Sequence, residues 1–169
     1  METSWIKEKV EGWAESVRTL AGVACKHPQS AYVGLQKALQ QEWAFVQRVT
    51  PGIGDAFGPV EEEIKTPFIP EIFRGVGDRA PGREITRLPV KQAGLALLDS
   101  TRKAADNLQA SCDVTEHLVS ALRGQVTFGT ADHAACLWDV RAAVRRKSVA
   151  KLMASLEATI SGAPEVVTR

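Results

Sequence analysis

A run of apolar residues at helical spacing sets the first limit on what this chain can become. Ile6, Val10, Trp13, Val17, Leu20 and Ala24 step by four, three, four, three and four. On a 3.6-residue turn these side chains form one continuous stripe, with Lys7, Glu8, Glu11, Glu15 and Arg18 on the opposite face. The pattern predicts a helix over 4–26 with Thr3 or Ser4 as its N-cap. Cys25-Lys26-His27-Pro28 stops it, because the residue before a proline is pushed out of the α region.

Pro28 suits the first turn of a second helix, where the missing N–H costs nothing. That helix is expected to reach Val49, burying Tyr32, Leu35, Leu39, Trp43, Val46 and Val49. The short connection makes the two an antiparallel hairpin. Thr50-Pro51-Gly52-Ile53-Gly54 breaks the pattern. A third helical segment starts near Gly58-Pro59, and Glu61, Glu62 and Glu63 suit the positive end of its dipole. Three neighbouring carboxylates point in different directions on a helix, so they do not converge on one ion. Pro67 and Pro70 are expected to kink or split this segment before Phe73.

Gly75 to Gly82 reads as a mobile linker, rich in Gly and Pro and without apolar pattern. A short helix follows over 83–88, and Pro89 to Leu98 reads as an extended loop or a short strand. Asp99, Ser100 or Thr101 caps a helix running to about Arg123, with Ala104, Leu108, Cys112, Thr115, Leu118, Val119 and Leu122 as its stripe. Gly124 terminates it. Thr130 or Asp132 opens a last long helix that ends before Gly162, its apolar side formed by Leu137, Val140, Val144, Val149, Leu152, Leu156 and Ile160. The tail from Glu165 is expected to fray.

The fold expected is therefore all-α: an irregular bundle of about five to six helices around a central Gly/Pro-rich extended segment. Its parts would be an N-terminal unit over 1–74, a linker and extended segment over 75–98, and a two-helix unit over 99–169. An apolar content of 44% supplies a core. Cys25, Cys112 and Cys136 are odd in number and lack CxxC spacing, which argues against a zinc ribbon or a secreted disulfide scaffold. The N-terminal residues have neither signal-peptide nor transit-peptide character, and no apolar run approaches membrane-spanning length. Cytosol or nucleus is the expected compartment.

Catalytic patterns are scarce. His27, His117 and His133 fall in three different elements, and Asp132-His133 with Cys136 is the nearest approach to a metal spacing. No phosphate loop or nucleophile elbow is present. No convergent polar cluster is legible, and neither a cofactor nor a small-molecule ligand is expected.

One charge feature stands out. Arg141, Arg145, Arg146, Lys147 and Lys151 follow one another with no acid among them. Arg141 and Arg145 lie one helical turn apart, as do Lys147 and Lys151. Two readings stand at this point: a solvated face whose long stems cover apolar surface, or a contact with a phosphate backbone that needs no base readout. Trp13 and Trp43 lie on apolar stripes and are expected inside; Trp5 and Trp138 fall off them and are expected outside.

Several strings carry a resemblance. Residues 32–51 (YVGLQKALQQEWAFVQRVTP), Pro59-Val60-Glu61-Glu62-Glu63-Ile64 with Phe68-Ile69-Pro70, and Leu88-Pro89-Val90 with Gly94-Leu95-Ala96-Leu97 are the main ones. Ser111 to Leu122 and Ala131-Asp132-His133-Ala134-Ala135 complete it. Together they resemble the thumb and post-thumb region of LINE-like, non-LTR retroelement reverse transcriptase polyproteins. In that family the polymerase palm holds Mg²⁺ on paired aspartates, and a Cys/His-rich region tends to follow. This chain has no Asp-Asp pair and no such cluster, and the family's double glycine reads Ala93-Gly94. The resemblance implies a region that polymerises nothing alone and steadies a template–primer duplex. Its partners would be RNA or DNA through phosphate contacts, a polymerase palm, or a second copy. The alternative from another class is a small helical interaction or self-association module without a nucleic-acid role. A decayed element remnant is the third.

Overall fold

The computed structural model describes residues 2–74 and 82–161. The described residues contain six helices and no strand. They are α1 (Glu2–Ala24); α2 (28–49); α3 (58–72), entered through a 3₁₀ turn at Gly54–Phe57; α4 (Arg83–Arg87); α5 (Ser100–Leu122); and α6 (Thr130–Ser161). The all-α bundle read from the sequence is the fold observed. The linker expected at Gly75 to Gly82 lies, but for Gly82, outside the described residues, as does the tail from Glu165.

The first stripe works as its spacing requires. Ile6, Val10, Trp13, Val17 and Ala24 are buried, together with Ala14 and Ala21. α2 returns against it, and at Gly34 the backbone comes so close that an added Cβ would lie 3.3 Å from Leu20 Cδ2. The N-terminal core centres on Trp13. Its ring stacks on Phe57 at 5.8 Å and meets Trp43 edge-on at 6.3 Å. Each such pair adds roughly 0.5–1.5 kcal/mol beyond burial. Trp5 and Trp138 are exposed, as their positions off the stripes predict. Val49, expected inside, is 60% exposed, because α2 ends there and the chain turns away at Thr50.

α3 passes through its prolines rather than splitting. Pro67 sits in a π-helical stretch, Ile64–Phe68, where the N–H of Ile69 donates to the carbonyl of Ile64, five residues back. Widening the turn accommodates a residue with no N–H to give. Pro70 then falls in the first turn of Ile69–Ile72, where it is tolerated. α2 carries a similar wide stretch at Gly34–Leu39.

The segment after α4 is a loop, not a strand. Ala93 adopts a left-handed conformation (φ 60°), and Gly94 follows with its Cα against the carbonyl of Leu88. A Cβ on Gly94 would lie 2.1 Å from that oxygen, so only glycine fits. The next residues are neither helix nor strand, and Ala96 is again left-handed (φ 51°). Leu95 and Leu97 donate to the carbonyl of Thr86, and Ala96 to that of Leu88.

Their outer side is satisfied by α2. Tyr32 Oη donates to the Leu95 carbonyl at 2.8 Å, and Gln40 Nε2 to the Ala96 carbonyl at 3.1 Å. Gln40 Oε1 accepts from the N–H of Leu98 at 3.0 Å, and Gln47 Nε2 donates to the Ser100 carbonyl at 2.7 Å. One face of α2 thus satisfies an irregular backbone that has no strand beside it.

α5 opens on Asp99, whose Oδ1 accepts from the N–H groups of Thr101 and Arg102, both at 3.0 Å. Its expected stripe needs correction. Cys112, Thr115, Leu118, Val119 and Leu122 are exposed. The face turned toward α6 carries Lys103, Asn107, Ala110 and Val114 instead. α5 must serve several neighbours: α2, the 3₁₀ turn at Gly54–Phe57, α3 and α6. The contact with α2 fixes its rotation: Asn107 Nδ2 donates to Gln47 Oε1 at 2.8 Å. Beyond Ala104 no described side chain is buried. The hairpin of α5 and α6 therefore leans on the N-terminal core without a core of its own.

Candidate nucleic-acid interface

A polar cluster that sequence reading missed ties the N-terminal unit to the hairpin. Glu61 of α3 accepts a forked pair of hydrogen bonds from Arg83, Nε to Oε1 at 2.7 Å and Nη2 to Oε2 at 3.0 Å. Arg87 Nη2 reaches the same Oε1 at 3.0 Å and Asp99 Oδ2 at 2.6 Å. Its Nη1 donates to Glu84, while its buried Nε has no partner. Arg83 also donates to the carbonyls of Leu97 and Leu98. The sequence read Glu61 as a helix-dipole acid, and its partners stand 22 and 26 residues away, beyond any local pattern. Burial pushes the Asp99 carboxyl up. Hydrogen bonds from Thr101 and the N–H of Arg102, with the charges of Arg87 and Arg102, outweigh it and hold Asp99 below its ordinary value. For Arg87 burial works against the charge, and Asp99, Glu61 and Glu84 more than restore it. Apart from the Arg87 Nε these groups satisfy one another, and the cluster is structural.

Beside it lies a cleft of about 540 Å³ between α5, α6 and the loop after α4. Its charged lining is Arg48, Arg87, Lys103, Arg141 and Arg145, with no carboxylate. Its apolar lining includes Val114, Val140, Val144, Val149 and Leu152. The five basic residues singled out from sequence are all exposed on α6. Arg141 and Arg145 line the cleft, while Arg146 and Lys147 do not. Lys151 is partly neutralised, its Nζ lying 2.8 Å from Asp106 Oδ1. Among the described residues, Arg48, Arg141, Arg145, Arg146 and Lys147 form no ion pair. Arg48 and Lys103 were not singled out from sequence, because they come from other helices with no run to mark them.

Lys103 is the least exposed of the free-amine groups here, with 15% of its side chain accessible. Its Nζ donates to Ser148 Oγ across the cleft. Burial lowers its pKa; Asp106, 3.8 Å away, offsets part of this, and Lys151 adds to the lowering.

The other spacing noted in the sequence resolves differently. His133 stacks on His117, with ring centroids 5.9 Å apart, and Phe128 lies against both. Among the described residues no three His, Cys, Asp or Glu side chains gather as metal ligands would. None of the described helices is long and apolar enough to cross a membrane.

Fold and site define the class: an all-α bundle with a cation-lined, carboxylate-free cleft beside a basic helix. No protein-family model, curated protein or solved structure matches the chain.

Proposed function

We propose that this chain is a thumb and post-thumb region of a LINE-like reverse transcriptase, and that it holds nucleic acid by its phosphate backbone. One observation carries the binding reading: guanidinium and ammonium groups from four helices flank a surface without carboxylates, and most are unpaired. Unpaired cations release condensed counterions when they meet phosphates, which favours binding without base readout. Arg141, Arg145, Arg146 and Lys147 supply the contacts, and Lys151 adds less because Asp106 holds it. The 169 residues contain no paired aspartates to hold Mg²⁺, so polymerisation is not among their activities. The ancestry rests on the strings around Trp43, Glu61 and Gly94, and the need for glycine at 94 gives one of them a physical reason. A mobility-shift titration with duplex RNA or DNA tests the reading. Retardation at low salt that is lost when Arg141, Arg145, Arg146 and Lys147 all become Gln supports it; no retardation by the unaltered chain removes it.

A second reading is favoured by a separate observation. Leu118, Val119 and Leu122 on α5 and Trp138 on α6 are exposed, Leu122 to 80% and Trp138 to 72%. Such a surface suits a protein partner or a second copy. Sedimentation at several concentrations tests it, and a stable dimer without nucleic-acid affinity would replace the first reading with this one.

A further inference from the structure

We propose that the cleft between α5 and α6 binds a phosphate monoester, with Lys103 and Ser148 at its centre. The inference deepens the reading above and rests on it only for the natural source of the phosphate.

The Lys103–Ser148 pair stands where two adjoining cavities meet, of about 540 and 370 Å³, and lines both. In this contact the ammonium is the donor, so the Ser148 hydroxyl hydrogen remains available. No described acceptor takes it. A ligand oxygen placed between α5 and α6 would receive both that O–H and the remaining N–H groups of Lys103. Arg141 and Arg145 stand on the same side of α6, one turn apart, and Arg48 faces them from α2. Arg87 closes the end but is already matched by Glu61, Glu84 and Asp99.

Charge decides between kinds of anion. Lys103 pairs with one carboxylate, Asp106, which is shared with Lys151; Asp99 also lines the second cavity but is held by Arg87. Arg48, Arg141 and Arg145 have none. Burial lowers the pKa of Lys103, and Lys151 adds to this against the opposing charge of Asp106. A backbone diester brings one negative charge, whereas a monoester carries about −1.5 to −2 at pH 7 and has three strong acceptor oxygens. The monoester therefore matches the excess better, and guanidinium forks suit its oxygens. Size points the same way. A cleft of this volume falls in the range of small-ligand sites and matches a nucleotide better than a double helix. Val144, Val149 and Leu152 beside the cations offer apolar surface to a sugar or base without reading its identity. Arg146 and Lys147, outside the cleft, meet diesters only, whereas Arg141 and Arg145, exposed while lining it, serve either.

Two sources share this chemistry: the phosphorylated end of a nucleic-acid strand and a free nucleotide. The test uses the full chain with a short labelled single strand ending in 5′-phosphate, the same strand ending in 5′-hydroxyl, and adenosine 5′-monophosphate. The phosphorylated strand should bind about tenfold more tightly than the hydroxyl strand. Ser148→Ala should abolish that preference and leave binding of the hydroxyl strand unchanged; Lys103→Met should abolish it too, while weakening both strands through the lost charge. The nucleotide should compete, and should protect Lys103 from amine-modifying reagents in the unaltered protein, a readout that needs no variant to fold. Equal affinity for the two strands, with no protection of Lys103, overturns the inference while leaving backbone binding standing. Protection by the nucleotide without affinity for either strand keeps the cleft, assigns it to free nucleotides, and removes the nucleic-acid reading.

Discussion

Gln40 grips the backbone at Leu98: its Oε1 accepts from the Leu98 N–H at 3.0 Å while its Nε2 donates to the neighbouring Ala96 carbonyl at 3.1 Å. A helix side chain 4% exposed therefore replaces a missing strand. Gln40→Leu keeps the volume near constant and strands two backbone groups. We expect a loss of roughly 1–3 kcal/mol in urea unfolding. A change within error would mean that water or a shifted loop satisfies them.

Glu61 is expected to matter far more than its neighbour. Glu61→Gln leaves Arg83 and Arg87 short of a countercharge, and their side chains are only 9% and 8% accessible. Breaking a buried ion pair from one side costs about 3–5 kcal/mol. Glu62, with an accessible side chain and only Lys65 and Thr66 nearby, should tolerate the same change with little effect. Comparable losses at both positions would contradict the network.

Asp99 gives stability a pH dependence whose sign is fixed. Its folded pKa lies below its ordinary value of 3.8, so the folded state favours the carboxylate more than the unfolded chain does. The contribution is complete above that value and is lost as pH falls through the lowered folded value. Midpoints of denaturation measured from pH 6 downward, at about one-unit steps, should fall less steeply for Asp99→Asn than for the unaltered chain. Parallel curves would remove Asp99 as a source.

The turn at positions 93 and 94 separates two roles of glycine. Gly94→Ala drives a Cβ into the Leu88 carbonyl and should displace the loop, lowering the melting temperature markedly. Ala93→Gly relieves a left-handed φ of 60° at an exposed position and should be stabilising, by about 1 kcal/mol at most. Destabilisation by the second substitution would show that the strain is offset by contacts of the alanine methyl.

What was legible in the sequence follows from range. α1 announces itself because its stripe is local and regular, and the capping role of Asp99 is local too. Trp13 and Trp43 fall inside because periodicity alone places them. The misread face of α5 has a different cause. Leu108, Leu118 and Leu122 are the most apolar residues of that helix, yet Asn107 is turned inward by Gln47, sixty residues earlier. Buried glutamines on α2 look like a solvated face until the irregular backbone they serve is known. The candidate cleft was half visible: Arg141 and Arg145 belong to a run, whereas Arg48 and Lys103 join them only through packing.

Backbone binding by α6 is tested most directly by the affinity for a labelled duplex measured over a range of salt concentrations. Four phosphate contacts predict that log K falls against log salt with a slope of about −3 to −4, and Arg146→Gln with Lys147→Gln should flatten it by about 2. No binding at low salt, or a slope that these substitutions leave unchanged, would contradict the account.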